Sequence, residues 1–434
     1  MQRNMASGVV DIESVRQRSA VYRPYTHPWS QIILISFICF CCPGMYNALS
    51  GLGGSGQVDS TVAANANVAL LSATAATALF VVGPIFDYVG PRVCLLLGGW
   101  TYPLYAGSLL CFNKTGNGAF VIASGAILAI AAFWIIFNLG GGVGSLASFG
   151  LNYHSTSGTV SNATYIALLT IMALGWLMGV LICPPAAVRL EELHPTAEAE
   201  SENRNWTKTV SLALHTIVDW RVLCILPLFF CANMFYSYQQ NIVNGMTFNI
   251  RTRSLNSALY WIAQMLGGLI MGLILDIPWL TRPGRARAGW VFLVATGMAI
   301  WGGGYAFQKW STARISSIAT GPIFLYIFYG AFDAFWQSCC YWLMGTRSNS
   351  PAVAAILVGA YKTFQSTGGA MAWRVNALGK PVMTQFAMDW GLCMGGLVIA
   401  LPSVLAVTKT NTIVAVDSGT IEKEERAVEF PTKE

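Results

Sequence analysis

Residues 83–92 read Gly-Pro-Ile-Phe-Asp-Tyr-Val-Gly-Pro-Arg and lie between two apolar runs, each long enough to cross a lipid bilayer. The Gly-Pro pair ends a helix, because proline lacks a backbone N–H and restricts the residue before it. Asp87 and Arg92 then supply one acid and one base at the membrane edge. This stretch predicts a tight, charged loop between two membrane-spanning helices.

A weaker copy of this stretch occurs in the second half of the chain and again lies between two apolar runs. The shared pattern is a glycine, an aspartate four residues later on the same helix face, then a glycine and an arginine beyond. Its residues are Gly83, Asp87, Gly90 and Arg92 in the first copy, and Gly272, Asp276 and Arg285 in the second. The pattern favours an internal duplication, which many transporters have, over two unrelated membrane-edge turns.

The composition is that of an all-α polytopic membrane protein. The chain has 434 residues, of which 55% are hydrophobic and 10% are charged, whereas soluble proteins carry about 25% charged residues. The net charge of +6 is spread thinly, so no nucleic-acid partner is predicted. The eleven cysteines have no metal-ligand spacing, and we predict neither a metal nor a cofactor. The predicted surroundings are the lipid bilayer, and the sequence does not identify which cellular membrane.

Eleven apolar runs are long enough to be membrane helices, and a polar segment separates the first five from the last six. The runs lie near 29–51, 61–83, 93–112, 119–150, 164–183, 221–243, 256–275, 287–307, 319–343, 351–373 and 382–407. The predicted organisation is a basic, cytoplasmic tail at 1–28, an N-terminal helical bundle at 29–183, a central linker at 184–219, a C-terminal six-helix bundle at 220–407 and a tail at 408–434.

Polar residues inside the apolar runs are the candidate substrate or coupling site, because such residues are costly in a membrane and usually face protein or water. The candidates are Asn47, Tyr236, Gln239, Asn241, Asp333 and Lys362. Asp333 and Lys362 lie near the centres of adjacent runs and therefore at one depth. They predict either a proton- or substrate-coupled site or a fixed ion pair that holds two helices in register.

Two short sequences, at Asn113 and Asn162, match the acceptor pattern for N-glycosylation and predict a glycoprotein if they face the lumen. A third match, at Asn205, lies in the predicted linker. A glycan there would place the linker in the lumen.

Residues 83–92 resemble the loop signature between helices two and three of the major facilitator superfamily, and residues 272–285 resemble its second-half counterpart. Three further segments resemble the fungal Unc-ninety-three-like branch of that superfamily. They are Pro-Gly-Met-Tyr-Asn-Ala-Leu at 43–49, Phe-Trp-Ile-Ile-Phe-Asn-Leu-Gly-Gly at 133–141 and His-Ser-Thr-Ser-Gly at 154–158. The resemblance covers roughly residues 25–410.

The resemblance implies twelve helices in two six-helix bundles, cytoplasmic termini and linker, and a central cavity that opens to alternate sides. It also implies that Asp87 and Arg92, and their counterparts Asp276 and Arg285, brace helices on the cytoplasmic side in a gating role. The chain departs from the family at 119–150, where 32 uncharged residues stand in place of two helices. We expect a short re-entrant pair there; a single crossing would reverse the side of every later loop.

Two classes of function fit this sequence. The first is a secondary transporter of an unknown small solute that works by alternating access. The second is a transporter-like protein that moves nothing and serves as an accessory or trafficking partner of other membrane proteins. No nucleophile–base set, metal cluster or phosphate loop is visible, so an enzyme is not predicted.

Overall fold

The computed structural model describes residues 25–57, 60–79, 90–128, 138–153, 159–183, 206–311, 320–348 and 350–408. Within these ranges the chain forms helices joined by turns, and it forms no β-strand there. Several predicted features lie outside the described residues: most of the loop at 83–92, including Gly83 and Asp87, the segment 154–158, most of 133–141, and both chain tails.

The described chain divides into two compact units. The first takes in residues from Met1–Leu70, Pro84–Glu202 and Asn244–Ile262. Its helices are α1 (Pro28–Cys39), α2 (Met45–Gly51), α3 (Ser60–Thr77), α4 (Pro91–Gly99), α5 (Thr101–Thr115), α6 (Ala119–Leu128), α7 (Asn138–Leu151) and α8 (Asn162–Met178). The last part of α3, from Leu71, belongs to the second unit.

The second unit takes in residues from Leu71–Gly83, Asn203–Val243 and Ala263–Glu434. Its helices are α9 (Trp206–Val218), α10 (Trp220–Leu223), α11 (Leu226–Cys231), α12 (Ile250–Leu275), α13 (Arg282–Ser311), α14 (Thr320–Gly345), α15 (Pro351–Ala377) and α16 (Val382–Leu405). The start of α12, up to Ile262, belongs to the first unit. Helix α9 lies entirely within the segment 184–219 that the sequence predicts as the linker.

Six described helical segments are long and apolar enough to cross a membrane. They are Pro28–Gly51, Arg92–Thr115, Asn162–Leu181, Ile250–Leu275, Arg282–Lys309 and Val382–Leu405. A seventh candidate is a pair, Val210–Val218 and Trp220–Cys231, bent by 68°. Helices α14 and α15 are also of spanning length, with 26 and 27 residues, and they carry the polar side chains described below.

The Pro-Gly pair in the first span widens the helix, as expected for a residue that lacks a backbone donor. Residues Phe40–Gly44 form a π-helical turn between α1 and α2, with Pro43 inside it. Cys42 donates from its thiol to the carbonyl oxygen of Met172 on α8 (3.4 Å). Gly175 lets α8 approach closely, because a Cβ at this position would overlap the side chain of Cys41.

Contacts within the first unit show that residues 119–150 leave from and return to the same end of that unit. The Asn113 amide at the end of α5 donates to Asn162 at the start of α8 (3.0 Å). Asn152, just after α7, donates to Thr164 on α8 (2.8 Å). Gly118, just before α6, packs against Val62 near the start of α3. Gly118 and Asn152 therefore lie at the same end of the unit, and the re-entrant pair between them, part of which lies outside the described residues, stays a prediction.

The opposite end of the first unit holds the beginning of α1. The side-chain oxygen of Gln31 accepts from the backbone N–H of Cys183 (2.9 Å), and the Trp176 indole donates to the carbonyl oxygen of Leu96 on α4 (2.9 Å). The chain therefore enters the predicted linker at the end where α1 begins, as the resemblance implies for a linker on the side of the N-terminus.

Candidate functional site

A buried carboxylate on α14 is the centre of a polar cluster in the second unit. The side chain of Asp333 is fully buried. Its Oδ1 accepts from the amide nitrogen of Gln337 (2.8 Å), and its Oδ2 accepts short hydrogen bonds from the Tyr236 hydroxyl and the Gln264 amide. An ionised carboxylate only accepts hydrogen bonds, so three donors match its charged form. We call Asp333, Tyr236, Gln264 and Gln337 the carboxylate cluster.

Local structure and tertiary packing each supply part of this cluster. Gln337 lies one helical turn after Asp333, on the same face of α14. Gln264 comes from α12, and Tyr236 immediately precedes a π-helical segment, Ser237–Met246. Both amides also lie within hydrogen-bond distance of the Tyr236 hydroxyl, at 3.3 Å for Gln264 and 3.2 Å for Gln337. Tyr236 therefore joins all the members of the cluster.

The cluster has an accessible edge. Asp333 and Gln264 are buried, whereas Tyr236 and Gln337 are partly exposed. Lys362 on α15 is also partly exposed, and its charge lies within electrostatic reach of Asp333, as the predicted common depth requires. The Lys362 ammonium donates to Gln365 (2.8 Å).

Two other predicted site residues lie on the π-helical segment. Asn241 donates to the side-chain oxygen of Asn376 (2.9 Å), whose amide in turn donates to Gln385 (3.0 Å). Gln239 is fully buried. The neighbouring Tyr238 hydroxyl donates to Gln308 on α13 (2.7 Å). The π-helical segment thus makes a second set of polar contacts, with side chains on α13 and α15 and, through α15, with α16.

Asn47, the remaining candidate, belongs to the first unit. It lies on α2, directly after the π-helical turn at Pro43, and is 5% exposed. The adjacent Tyr46 hydroxyl donates to the side-chain oxygen of Asn67 (2.8 Å). The role of Asn47 in solute binding stays a prediction.

The described part of the repeated loop pattern has clear local roles. Gly90 precedes α4 with a φ of 82°, a left-handed conformation that favours glycine. Arg285 donates from Nε to the carbonyl oxygens of Ile277 and Leu280, at 2.9 and 3.0 Å, and so fastens the turn between α12 and α13. Asp276 closes the last turn of α12 with its backbone N–H bonded to Gly272. The gating role of both copies, including Arg92, stays a prediction.

The sequence prediction did not include a second buried acid. Asp389 lies within α16 and is fully buried, and neither of its carboxylate oxygens has a hydrogen-bond partner among the described residues. It stands inside an apolar run, so the rule that selected Asp333 would also have found it. Gln264 and Gln337 were missed because a neutral amide in an apolar run is a weak signal until its partner is known.

Comparisons with known proteins agree on fold and family. No family model matches the sequence. Two solved structures, a nucleoside transporter and a D-xylose–proton symporter, each superpose with a TM-score of 0.55, at 15% and 11% sequence identity. The first covers 87% of this chain and 98% of the transporter, and the second covers 88% and 100%. These likenesses show a major facilitator fold.

Two relatives extend along most of the sequence. An UNC93-like protein of Schizosaccharomyces pombe is 36% identical, over 93% of this chain and 90% of that protein. UNC93-like protein 1 of Arabidopsis thaliana is 37% identical, over 85% and 88%. Together with the apolar helices and the fold, these similarities show that the chain belongs to the UNC93-like family of multi-pass integral membrane proteins.

Proposed function

We propose that this protein is a secondary transporter that binds a small polar solute at the carboxylate cluster and works by alternating access. The observation that supports this most directly is a fully buried carboxylate with three hydrogen-bond donors, near the middle of the 26-residue helix α14, with partly exposed partners beside it. Burying a charged group costs much free energy unless the group is paired. In membrane proteins, such buried ionisable groups mark solute or ion pathways.

The geometry indicates how the cluster would bind a solute. Asp333 and Gln264 are buried and would form the fixed base of the site. Tyr236 and Gln337 lie at the accessible edge, where their hydroxyl and amide groups can exchange a hydrogen bond with each other for one with the solute. Lys362 adds a cation at the same edge and would favour solutes with acceptor groups. We propose no catalytic step.

The fold supports the same class of function. Structures that share it include transporters of nucleosides, D-xylose and peptides, all of which are small polar solutes. In this proposal, the two copies of the charged loop pattern serve as braces that open and close with each cycle. Gln239 and Asn241, which belong to the same unit as the cluster, are secondary contacts to the solute.

Counterflow in proteoliposomes tests the proposal. Purified protein is reconstituted and preloaded in turn with nucleosides, D-xylose or dipeptides, and uptake of labelled solute is compared for wild type and Asp333→Asn. We expect exchange of at least one solute class by wild type and its loss in Asp333→Asn. Thr367→Val on α15 is the control, because Thr367 is exposed and bonds only within its own helix turn in the described contacts.

The accessory role is the alternative outcome. If wild type exchanges none of the three solute classes, and Asp333→Asn changes only the amount of protein in the membrane, the transporter proposal is wrong. The carboxylate cluster would then be a structural brace in a partner-binding protein.

A further inference from the structure

Three arginines come together where four helices of the second unit begin or end. Arg221 is in α10, Arg282 begins α13, and Arg347 follows α14. Ser403 near the end of α16 connects two of them: its hydroxyl accepts from Arg347 (2.6 Å) and donates to the backbone carbonyl of Arg221 (2.6 Å). Arg282 donates to the carbonyl oxygen of Gly345, two residues before Arg347 (3.2 Å).

In the part of the chain that the structure describes, the positive charge of these arginines is only partly compensated. The charges of Arg221 and Arg282 both act on Arg347, and Asp219 contributes one opposing carboxylate. That carboxylate also accepts the backbone N–H of Arg221 (2.8 Å). Among the described residues, these three guanidinium groups and one carboxylate leave an excess of about two positive charges near Arg347, where like charges repel.

Arg347 is the most buried of the three arginines, and burial of a charge is costly. It is 2% exposed, and its two hydrogen bonds go from one terminal nitrogen to neutral acceptors of Ser403. Burial, together with the charge of Arg221, lowers the pKa of Arg347 to about 10. The Nε–H groups of both Arg347 and Arg221 are buried without a hydrogen-bond partner among the described residues. A buried charge normally has a counter-charge and filled hydrogen bonds.

Exposed tryptophans beside the three arginines indicate how deep the arginines lie in the membrane. Trp220 is 51% exposed and lies under the Arg221 guanidinium, 5.6 Å from its ring centre. Trp279, in the turn before Arg282, is 81% exposed. Tryptophan concentrates where the hydrocarbon meets the headgroups, so the arginines lie at headgroup depth.

We propose that Arg221, Arg282 and Arg347 form a binding site for a phosphate-type anion, which the headgroup of an anionic phospholipid supplies. Phosphate oxygens match the fork of N–H donors on a guanidinium. Arg221 and Arg282 are partly exposed and would supply these donors, while the buried Arg347 adds positive charge beneath them. The lipid would neutralise the excess charge and join the ends of α10, α13, α14 and α16. Such binding does not depend on transport.

Thermal unfolding of the full-length purified protein tests this site. Wild type is measured in phosphatidylcholine nanodiscs, in nanodiscs that also contain phosphatidic acid, and in phosphatidylcholine nanodiscs with either inorganic phosphate or sodium chloride. We expect phosphatidic acid to raise the unfolding temperature. The phosphatidic acid content needed for this shift should increase about ten-fold or more in Arg282→Gln and Arg347→Gln, because each variant loses one of the positive charges that attract the phosphate.

Arg374→Gln is the matched control, since Arg374 lies at the other end of α15 and its loss changes the net charge equally. Arg282 is partly exposed, so its variant keeps the test valid if the buried Arg347 variant does not fold. Stabilisation by inorganic phosphate alone would retain the anion site and overturn the lipid as its source. Equal stabilisation of all variants, or none beyond that of sodium chloride, would overturn the site itself.

Discussion

Arg253 donates from its guanidinium Nε to the backbone carbonyl oxygen of Leu52, 201 residues earlier in the chain, at 2.5 Å. A terminal nitrogen of the same guanidinium also donates to the carbonyl of Gly53. Both partners lie in the first unit, and Arg253 is 4% exposed. Residues Gly53, Gly54, Ser55 and Gly56, which follow, all have positive φ angles. A charged side chain from the second half of the sequence thus fastens a left-handed turn of the first half.

Arg253→Lys is expected to destabilise the protein, because an ammonium lacks the planar fork that reaches two carbonyls at once. Loss of one hydrogen bond to a charged group costs about 1.5–3 kcal/mol. Thermal unfolding of purified protein measures the effect. Arg251→Lys is the control: Arg251 is exposed and stacks on the Tyr153 ring at 4.3 Å, so this substitution should change the unfolding temperature little. Equal effects of the two substitutions would contradict the proposed fastening.

The two buried acids are expected to respond in opposite ways to an apolar replacement. Asp333→Leu removes the acceptor that Tyr236, Gln264 and Gln337 share, and should destabilise by at least the roughly 1–3 kcal/mol of one unsatisfied buried group. Asp389→Leu removes a buried carboxylate that has no partner among the described residues, and should be neutral or stabilising. The unfolding temperatures of both variants decide this; a large loss of stability in Asp389→Leu would show that its carboxylate is satisfied.

Gly56→Ala should be more harmful than Gly116→Ala, although both glycines have left-handed backbones, with φ of 78° and 68°. A side chain in this region costs about 1–2 kcal/mol on conformation alone. A Cβ at Gly56 would also overlap Val160, whereas no atom lies within 4 Å of a Cβ at Gly116. The difference in stability between the two variants therefore isolates the packing cost. If they are equally stable, the turn at Gly56 is able to move away from Val160.

Sidedness can be measured with single cysteines at the two ends of the first unit. Lys114→Cys lies at the end that holds Asn113 and Asn162, and Tyr25→Cys at the end where α1 begins. In sealed vesicles of one orientation, a membrane-impermeant maleimide should label one of them before permeabilisation and both afterwards. The background replaces the half-buried cysteines Cys94, Cys111 and Cys224. Labelling of both sites before permeabilisation would contradict three membrane crossings between Tyr25 and Lys114. A glycan at Asn205, beyond the segment, would contradict a re-entrant 119–150.

The sequence was sufficient for the fold class, since long apolar runs and few charges are local properties of the chain. The break at Pro43 was also predictable, because proline removes a backbone donor wherever it stands in a helix. The repeated glycine–aspartate pattern and three short segments resembled the correct superfamily and branch, which the comparisons confirm. Asp333 and Lys362 could be selected because a charge in an apolar run is rare.

Only the tertiary structure decided which groups meet. That residues 119–150 return to their own end depends on Asn113, Asn152 and Gly118, whose partners lie on other helices. The donors to Asp333 from Tyr236 and Gln264 are 97 and 69 residues away, and Leu52 is 201 residues from Arg253. The pattern of apolar residues predicts where a helix forms. It does not predict which neutral polar side chains on other helices will contact that helix. That choice depends on helix packing, which a single sequence does not display.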